Sequence, residues 1–327
     1  MRTFTPAVKK FGDIFLFCIL VFFAVIFAFF PKYDQAVISG IKLWAACIVP
    51  CLFPYIFITA ILYSVKTFRK IAEKISHISL KIFNIGGQFG YAFLVSALSG
   101  YPAGAKTVAE LKNVNALSET ESVRAAAICS SASPYFTISV VGGITFSSFK
   151  FGTMVFVCNF LSVIAVGLIF SFYKRKDKGG KPQEVVFKSY VTLNEGANSA
   201  VINILTVGGI ITLFFVLAEM LKDLGIMGWS AGIFGFFIND KNLAEGLSYG
   251  LIDYTLGIKA AANGGIAHLS LPCVAAMCGF GGLSSITQSL GFLKKSKIKT
   301  APFWAAKILS GLLNFIFGSI ISAAFLI

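Results

Sequence analysis

Apolar residues run along this chain in long uncharged blocks, and the polar residues gather between them. A helix crossing the hydrocarbon core of a bilayer needs about 20 mostly apolar residues, so a block of that length predicts a span. Such blocks cover 14–30, 43–65, 125–149, 151–173, 196–218 and 308–327. Residues 260–293 hold no Asp, Glu, Lys or Arg, and their Gly-rich start predicts a loop before a span beginning near Leu269. The first block follows Arg2, Lys9 and Lys10 and has no small-residue cleavage signal, so it reads as a retained helix with its N-terminus inside. Two regions depart from the pattern. Residues 82–105 are uncharged but rich in Gly, Asn, Gln, Ser and Pro, and 224–258 are two short apolar pieces separated by Asn239-Asp240-Lys241. Irregular backbone at membrane depth survives only inside protein or beside water, so both predict broken or re-entrant helices. The fold expected is an all-α polytopic membrane protein with about seven spanning helices and two broken or re-entrant segments.

Composition agrees, with 57% hydrophobic and 13% charged residues among 327, too little polar surface for a soluble enzyme. The 28 Lys and Arg against 14 Asp and Glu give a net charge of +14. Nucleic-acid binding is not expected, because a basic footprint of that kind is a clustered stripe on a soluble domain. Here 22 of the basic residues fall in five islands between apolar blocks, at 2–10, 66–81, 106–124, 174–188 and 294–307. Basic loops stay cytoplasmic, so these islands assign the inside. Glu110, Glu119, Glu121 and Arg124 read as solvated loop charges. The seven cysteines lie in apolar runs without a CxxC, and there are two histidines, so no metal site, disulfide framework or cofactor is expected.

The order of blocks suggests duplication. Residues 43–173 read span, broken segment, span, span, and 196–327 read the same, one starting outside and the other inside. Inverted repeats with discontinuous helices are a transporter architecture. The chain then divides into an anchor helix with an outside loop (1–42), a first repeat (43–173), a basic cytoplasmic linker (174–195) and a second, inverted repeat (196–327).

Three polar clusters interrupt apolar surroundings. In the first, Ser99, Gly100, Tyr101, Pro102, Gly104 and Lys106, the proline and glycines break the helix. A new helix from about Ala103 to Leu111 points its positive end at the break, which favours an anion, and Lys106 adds charge. The spacing does not fit a phosphate loop, and a packing kink between close helices is the alternative. The second is Cys129-Ser130-Ser131-Ala132-Ser133-Pro134, an unwound point or a capped kink. The third runs 278–288 and holds Gly281, Gly282, Ser284, Ser285 and Gln288. Among ionisable residues near membrane depth, Glu219, Glu245 and Asp253 are candidates for binding a proton or cation. On a continuous helix Glu245 and Asp253 share roughly one face; the alternative is interfacial charge. His268 reads as a helix-end polar residue. No catalytic motif is present, and the chain is not expected to be an enzyme.

Trp44 with Pro50-Cys51-Leu52-Phe53-Pro54, the segment Ser99 to Lys106, residues 127–134, and Phe280-Gly281-Gly282-Leu283-Ser284 with Gln288 together resemble the sporulation integral membrane proteins of the nucleoside-recognition, or Gate, domain group. The resemblance implies a multi-pass protein of an endospore-forming bacterium, in the cell or spore membrane, with distant kinship to concentrative nucleoside transporters. It also implies transport of a small solute, dipicolinate being one suggested for the group. The expectation is a secondary transporter or permease for a small anionic solute, dipicolinate-like or nucleoside-like. The solute is bound by Ser99, Gly100, Tyr101, Gly104, Lys106, Ser130, Ser131, Ser133, Gly281, Gly282, Ser284, Ser285 and Gln288, with H+ or Na+ coupled through Glu219, Glu245 or Asp253. The alternative is a membrane scaffold for spore formation without transport; homo-oligomerisation is left open.

Overall fold

The computed structural model describes residues 31–62, 64–181 and 192–325, with Val21 and Val25 besides. The predicted helix at 14–30, those two positions apart, and linker residues 182–191 lie outside the described residues. Every regular element among the described residues is helical: α1 (Lys32–Leu62), α2 (Lys66–Ile82), α3 (Phe89–Ser99), α4 (Ala103–Asn113), α5 (Glu119–Ile128), the π-helical α6 (Phe136–Thr145) and α7 (Phe149–Phe170). After the linker come α8 (Leu193–Asp223), α9 (Ile226–Phe237), α10 (Lys241–Ile252), α11 (Tyr254–Ala262), α12 (Ser270–Phe280), α13 (Gly282–Lys295) and α14 (Ala301–Phe325). Among the described residues α1, α7, α8, α14 and the combined stretch Ser270–Lys295 are long and apolar enough to cross a membrane.

The side chains are arranged for lipid. On α14 the exposed residues are Ile308, Leu312, Phe315, Ile316 and Ile320, while Lys307, Ser310, Asn314 and Ser322 are buried. On α7 Val157, Phe160, Leu161, Leu168 and Ile169 face outward, and Asn159 and Ser162 are buried, Ser162 Oγ lying 3.3 Å from Ser310 Oγ. Apolar outside and polar inside inverts the pattern of a helix on a soluble core. Small residues bring long helices together, as expected where packing replaces the hydrophobic drive. A Cβ on Gly208 of α8 would lie 2.6 Å from the Trp44 ring of α1, whose Nε1 donates to Ile204 O at 2.9 Å.

The unwound point expected within residues 125–149 is present: α5 stops at Ile128, and the chain re-enters a helix only from Pro134. One expectation is corrected, since Glu121 and Arg124 are not solvated. Arg124 is 0% exposed and donates to Asn84 O (2.6 Å), Tyr173 O (2.7 Å), Lys174 O (3.0 Å) and Asp177 O (3.1 Å). Glu121 closes the α5 capping box with Ser118 and accepts from Gly86 N (2.8 Å) and Gly180 N (2.9 Å). The two charges clasp the α2–α3 turn to the start of the linker, which places both groups inside protein. Glu119 stays outside, and Lys299 Nζ at 3.2 Å holds its carboxyl below the usual carboxylate range.

Candidate functional site

Four interruptions of helical backbone meet inside the molecule. Between α3 and α4, Gly100 adopts φ +71° and ψ −162°, a conformation glycine tolerates and other residues resist. A Cβ there would stand 2.8 Å from Ser133 N, so this turn lies directly on the second break. Tyr101 N donates to Ser131 O at 3.0 Å, and Tyr101 Oη reaches across to Cys278 O at 3.2 Å, just before the third break. The helix after Pro102 starts at Ala103, where the sequence predicts it.

The second break, Cys129 to Ser133, separates α5 from α6; Ser133 Oγ accepts from Phe136 N at 3.2 Å and so caps the returning helix. Asn159 Nδ2 donates to Ala132 O at 3.1 Å, satisfying one freed carbonyl. At the third break Gly281 (φ +84°) and Gly282 (φ +70°) both take the left-handed conformation. The fourth lies at Asp253, between α10 and α11, where neither Gly nor Pro marks it. Asp253 is buried and caps α11, accepting from Thr255 N (2.9 Å) and Leu256 N (3.4 Å), with the Thr255 hydroxyl as a further donor. This turn sits on the third break, since a Cβ on Gly282 would lie 3.0 Å from Asp253 Cα. The Tyr254 and Tyr101 rings meet edge to face, with centroids 5.2 Å apart.

Lys307 of α14 joins the second and third breaks. It is 2% exposed, and its Nζ donates to Ser130 O at 2.8 Å and Gly279 O at 2.7 Å, with the Tyr101 ring centroid 5.0 Å away. Sequence reasoning missed this residue by counting it in the basic island 294–307. The signal was its depth, since it is the seventh residue of the apolar helix Ala301–Phe325.

Beside the first break lies a cavity of about 270 Å³, lined by Pro102, Ala103, Lys106, Asn203, Gln288 and Lys295 among others. Lys106 and Gln288, far apart in sequence, share its wall. Lys106 Nζ donates to Asn203 Oδ1 at 2.8 Å and lies 3.8 Å from Glu110. Gln288 Nε2 contacts Ser284 Oγ at 3.4 Å, and its buried Oε1 has no partner among the described residues. Ser99 Oγ is likewise buried without one. Ser130 takes part through its carbonyl, and the Ser285 hydroxyl donates to Gly281 O within the third break. Gly104 packs against Cys129 O and Ser96, where a Cβ would be only 2.3 Å from that carbonyl.

The proposed ion-coupling acids sit in different surroundings. Asp253 is at the centre. Glu219 is paired with Lys222 at 2.8 Å and Glu245 with Lys241 at 3.9 Å, both half-exposed. Glu245 lines a larger depression of about 660 Å³ with Lys222, Asp240, Lys241 and Tyr249. Because the helix breaks at Asp253, Glu245 and Asp253 do not share a continuous helical face. Among the described residues no group of three or more His, Cys, Asp or Glu could hold a metal, and Cys47, Cys51, Cys129, Cys158, Cys273 and Cys278 are free thiols.

No family model matches the chain, and no solved structure matches it. It is 25% identical over 305 residues to the sporulation integral membrane protein YlbJ of Bacillus subtilis (strain 168), a match covering 85% of this chain and 75% of that protein. The apolar helices and this similarity together identify the chain as an integral membrane protein similar to one of sporulation.

Proposed function

We propose that the chain is a secondary transporter or permease for a small anionic solute, serving sporulation. The observation that carries the reading is the meeting of four backbone breaks, with a cavity beside the first of them lined by Lys106, Lys295, Asn203 and Gln288. Discontinuous helices near the midplane of a bilayer expose helix ends and free backbone groups that bind polar solutes. The start of α4 and the two ammonium groups favour negative charge, and a volume of about 270 Å³ suits a small ring carboxylate. Glu219, Glu245 and Asp253 remain the proposed coupling acids, with Asp253 the one at the breaks.

The order of elements supports an inverted repeat of the kind expected for the Gate domain group. A long helix, a shorter helix, a hairpin of two half-helices, a broken helix and a second long helix follow one another as α1, α2, α3–α4, α5–α6, α7. They recur as α8, α9, α10–α11, α12–α13, α14. Asn159-Phe160-Leu161 on α7 and Asn314-Phe315-Ile316 on α14 occupy like places beside the second and third breaks.

Uptake of radiolabelled dipicolinate, nucleosides and simple dicarboxylates into liposomes holding the purified protein tests this reading. Protein-dependent flux of an anion, reduced in Lys106→Ala, is expected. No flux of any candidate by folded, oriented protein would favour the scaffold role. Anion flux undiminished in Lys106→Ala would remove the anion site while leaving transport.

A further inference from the structure

We propose that Lys307 is the site's built-in cation: its ammonium fills a carbonyl-lined position between two broken helices that would otherwise recruit a monovalent metal ion, so the protein holds this site together without Na+. The two oxygens it binds, Ser130 O and Gly279 O at 2.8 and 2.7 Å, stand at the C-terminal ends of half-helices α5 and α12. Such ends carry partial negative charge, and unwound carbonyls there are the donors that broken-helix membrane proteins present to Na+. The Tyr101 ring supplies a third electron-rich face at 5.0 Å.

The surroundings supply dipoles and no paired anion. Among the described residues no carboxylate forms an ion pair with Lys307. Cys129 and Cys278, the neighbours of its two carbonyl partners, are buried thiols, and Asp253 and Tyr254 stand beyond the Tyr101 ring. A buried charge without a counter-ion is costly unless hydrogen bonds and dipoles replace its water. Here two helix ends do so, and the same contact ties α5 to α12 through α14. A side chain that cannot diffuse away keeps its donors at this point without any ion from solution. The idea stands apart from the transport reading, because its test needs no solute.

The purified full chain in lipid nanodiscs is unfolded by heat in NaCl, LiCl, KCl and choline chloride at equal ionic strength. Wild type is expected to have one midpoint in all four salts. Lys307→Met, which keeps the length of the side chain and removes its charge, is expected to lose several degrees in choline and to recover part of the loss in NaCl or LiCl. Lys307→Gln is carried through the same salts in case the methionine variant does not fold. Wild-type protein stabilised by Na+ over choline would overturn the proposal by itself. So would a folded variant that shows no response to the small ions, because the ammonium would then be a structural pin and no substitute for an ion.

Discussion

Gly100→Ala tests the convergence of the breaks most directly. At φ +71° and ψ −162° the backbone lies where residues with a Cβ pay about 1–3 kcal/mol in strain. The new methyl would also meet Ser133 N at 2.8 Å, Ser133 Cβ at 3.1 Å and Ser131 O at 3.2 Å. Those atoms belong to the second break, which is held by Tyr101 N on Ser131 O and by the Ser133 cap, so they cannot retreat without opening both contacts. Overpacking of this kind costs about 1–3 kcal/mol more, so the total is about 2–6 kcal/mol. Gly209→Ala in α8 is the comparison. Its methyl would meet nothing within 4 Å, and replacing a helical glycine should stabilise by about 1 kcal/mol. Denaturant titration of the two variants beside wild type in the same lipid reads the difference. Two variants within about 1 kcal/mol of each other would refute the argument, since the first and second breaks would then not be in contact as described.

Arg124→Met leaves four carbonyls without their donor and the buried Glu121 without its neighbour; a loss of about 3–5 kcal/mol is expected in the same titration. Trp44→Phe removes the 2.9 Å bond to Ile204 O while keeping most of the ring against Gly208, so a loss of about 1 kcal/mol should follow, read by the same unfolding. The Glu119–Lys299 pair predicts a pH effect. With its folded pKa depressed, Glu119 contributes stability that is complete above the unfolded carboxylate range and disappears as pH falls through the folded value. Wild type should therefore lose slightly more stability on acidification than Glu119→Gln, and the pair's exposure keeps that difference small.

The sequence marked three of the four breaks because each needs residues that announce themselves: Gly100 and Pro102, the serines before Pro134, and Gly281-Gly282. It also located the start of α4. The fourth break falls within 224–258, read as broken, but its position escaped because Asp253 ends one helix and caps the next with a side chain common in many other settings. Arg124 and Glu121 misled because their own neighbourhood is charged, while their partners at 84–86 and 173–180 lie far away along the chain. Lys307 was hidden by a rule that counts basic residues between blocks without asking how deep each one sits. Lys106 and Gln288 were assigned to one site, but Asn203 and Lys295, which line the same cavity, were not, because Asn203 meets Lys106 from 97 positions away in an otherwise apolar helix and Lys295 was counted with the basic island.

The Lys307 contact has a consequence for how such a protein changes over evolutionary time. Both oxygens that receive its protons belong to the main chain, and every residue type carries that atom. No substitution at position 130 can compensate for losing the lysine, and none is needed while the lysine stays. Saturation mutagenesis should therefore find position 307 intolerant and position 130 permissive toward this contact, and related sequences should show no correlated exchange between the two. Position 279 is fixed for a different reason, the 2.7 Å that would separate a Cβ from the backbone oxygen of Ser310. Contact inference from paired substitutions is blind to a bond of this type, although it joins residues 177 positions apart.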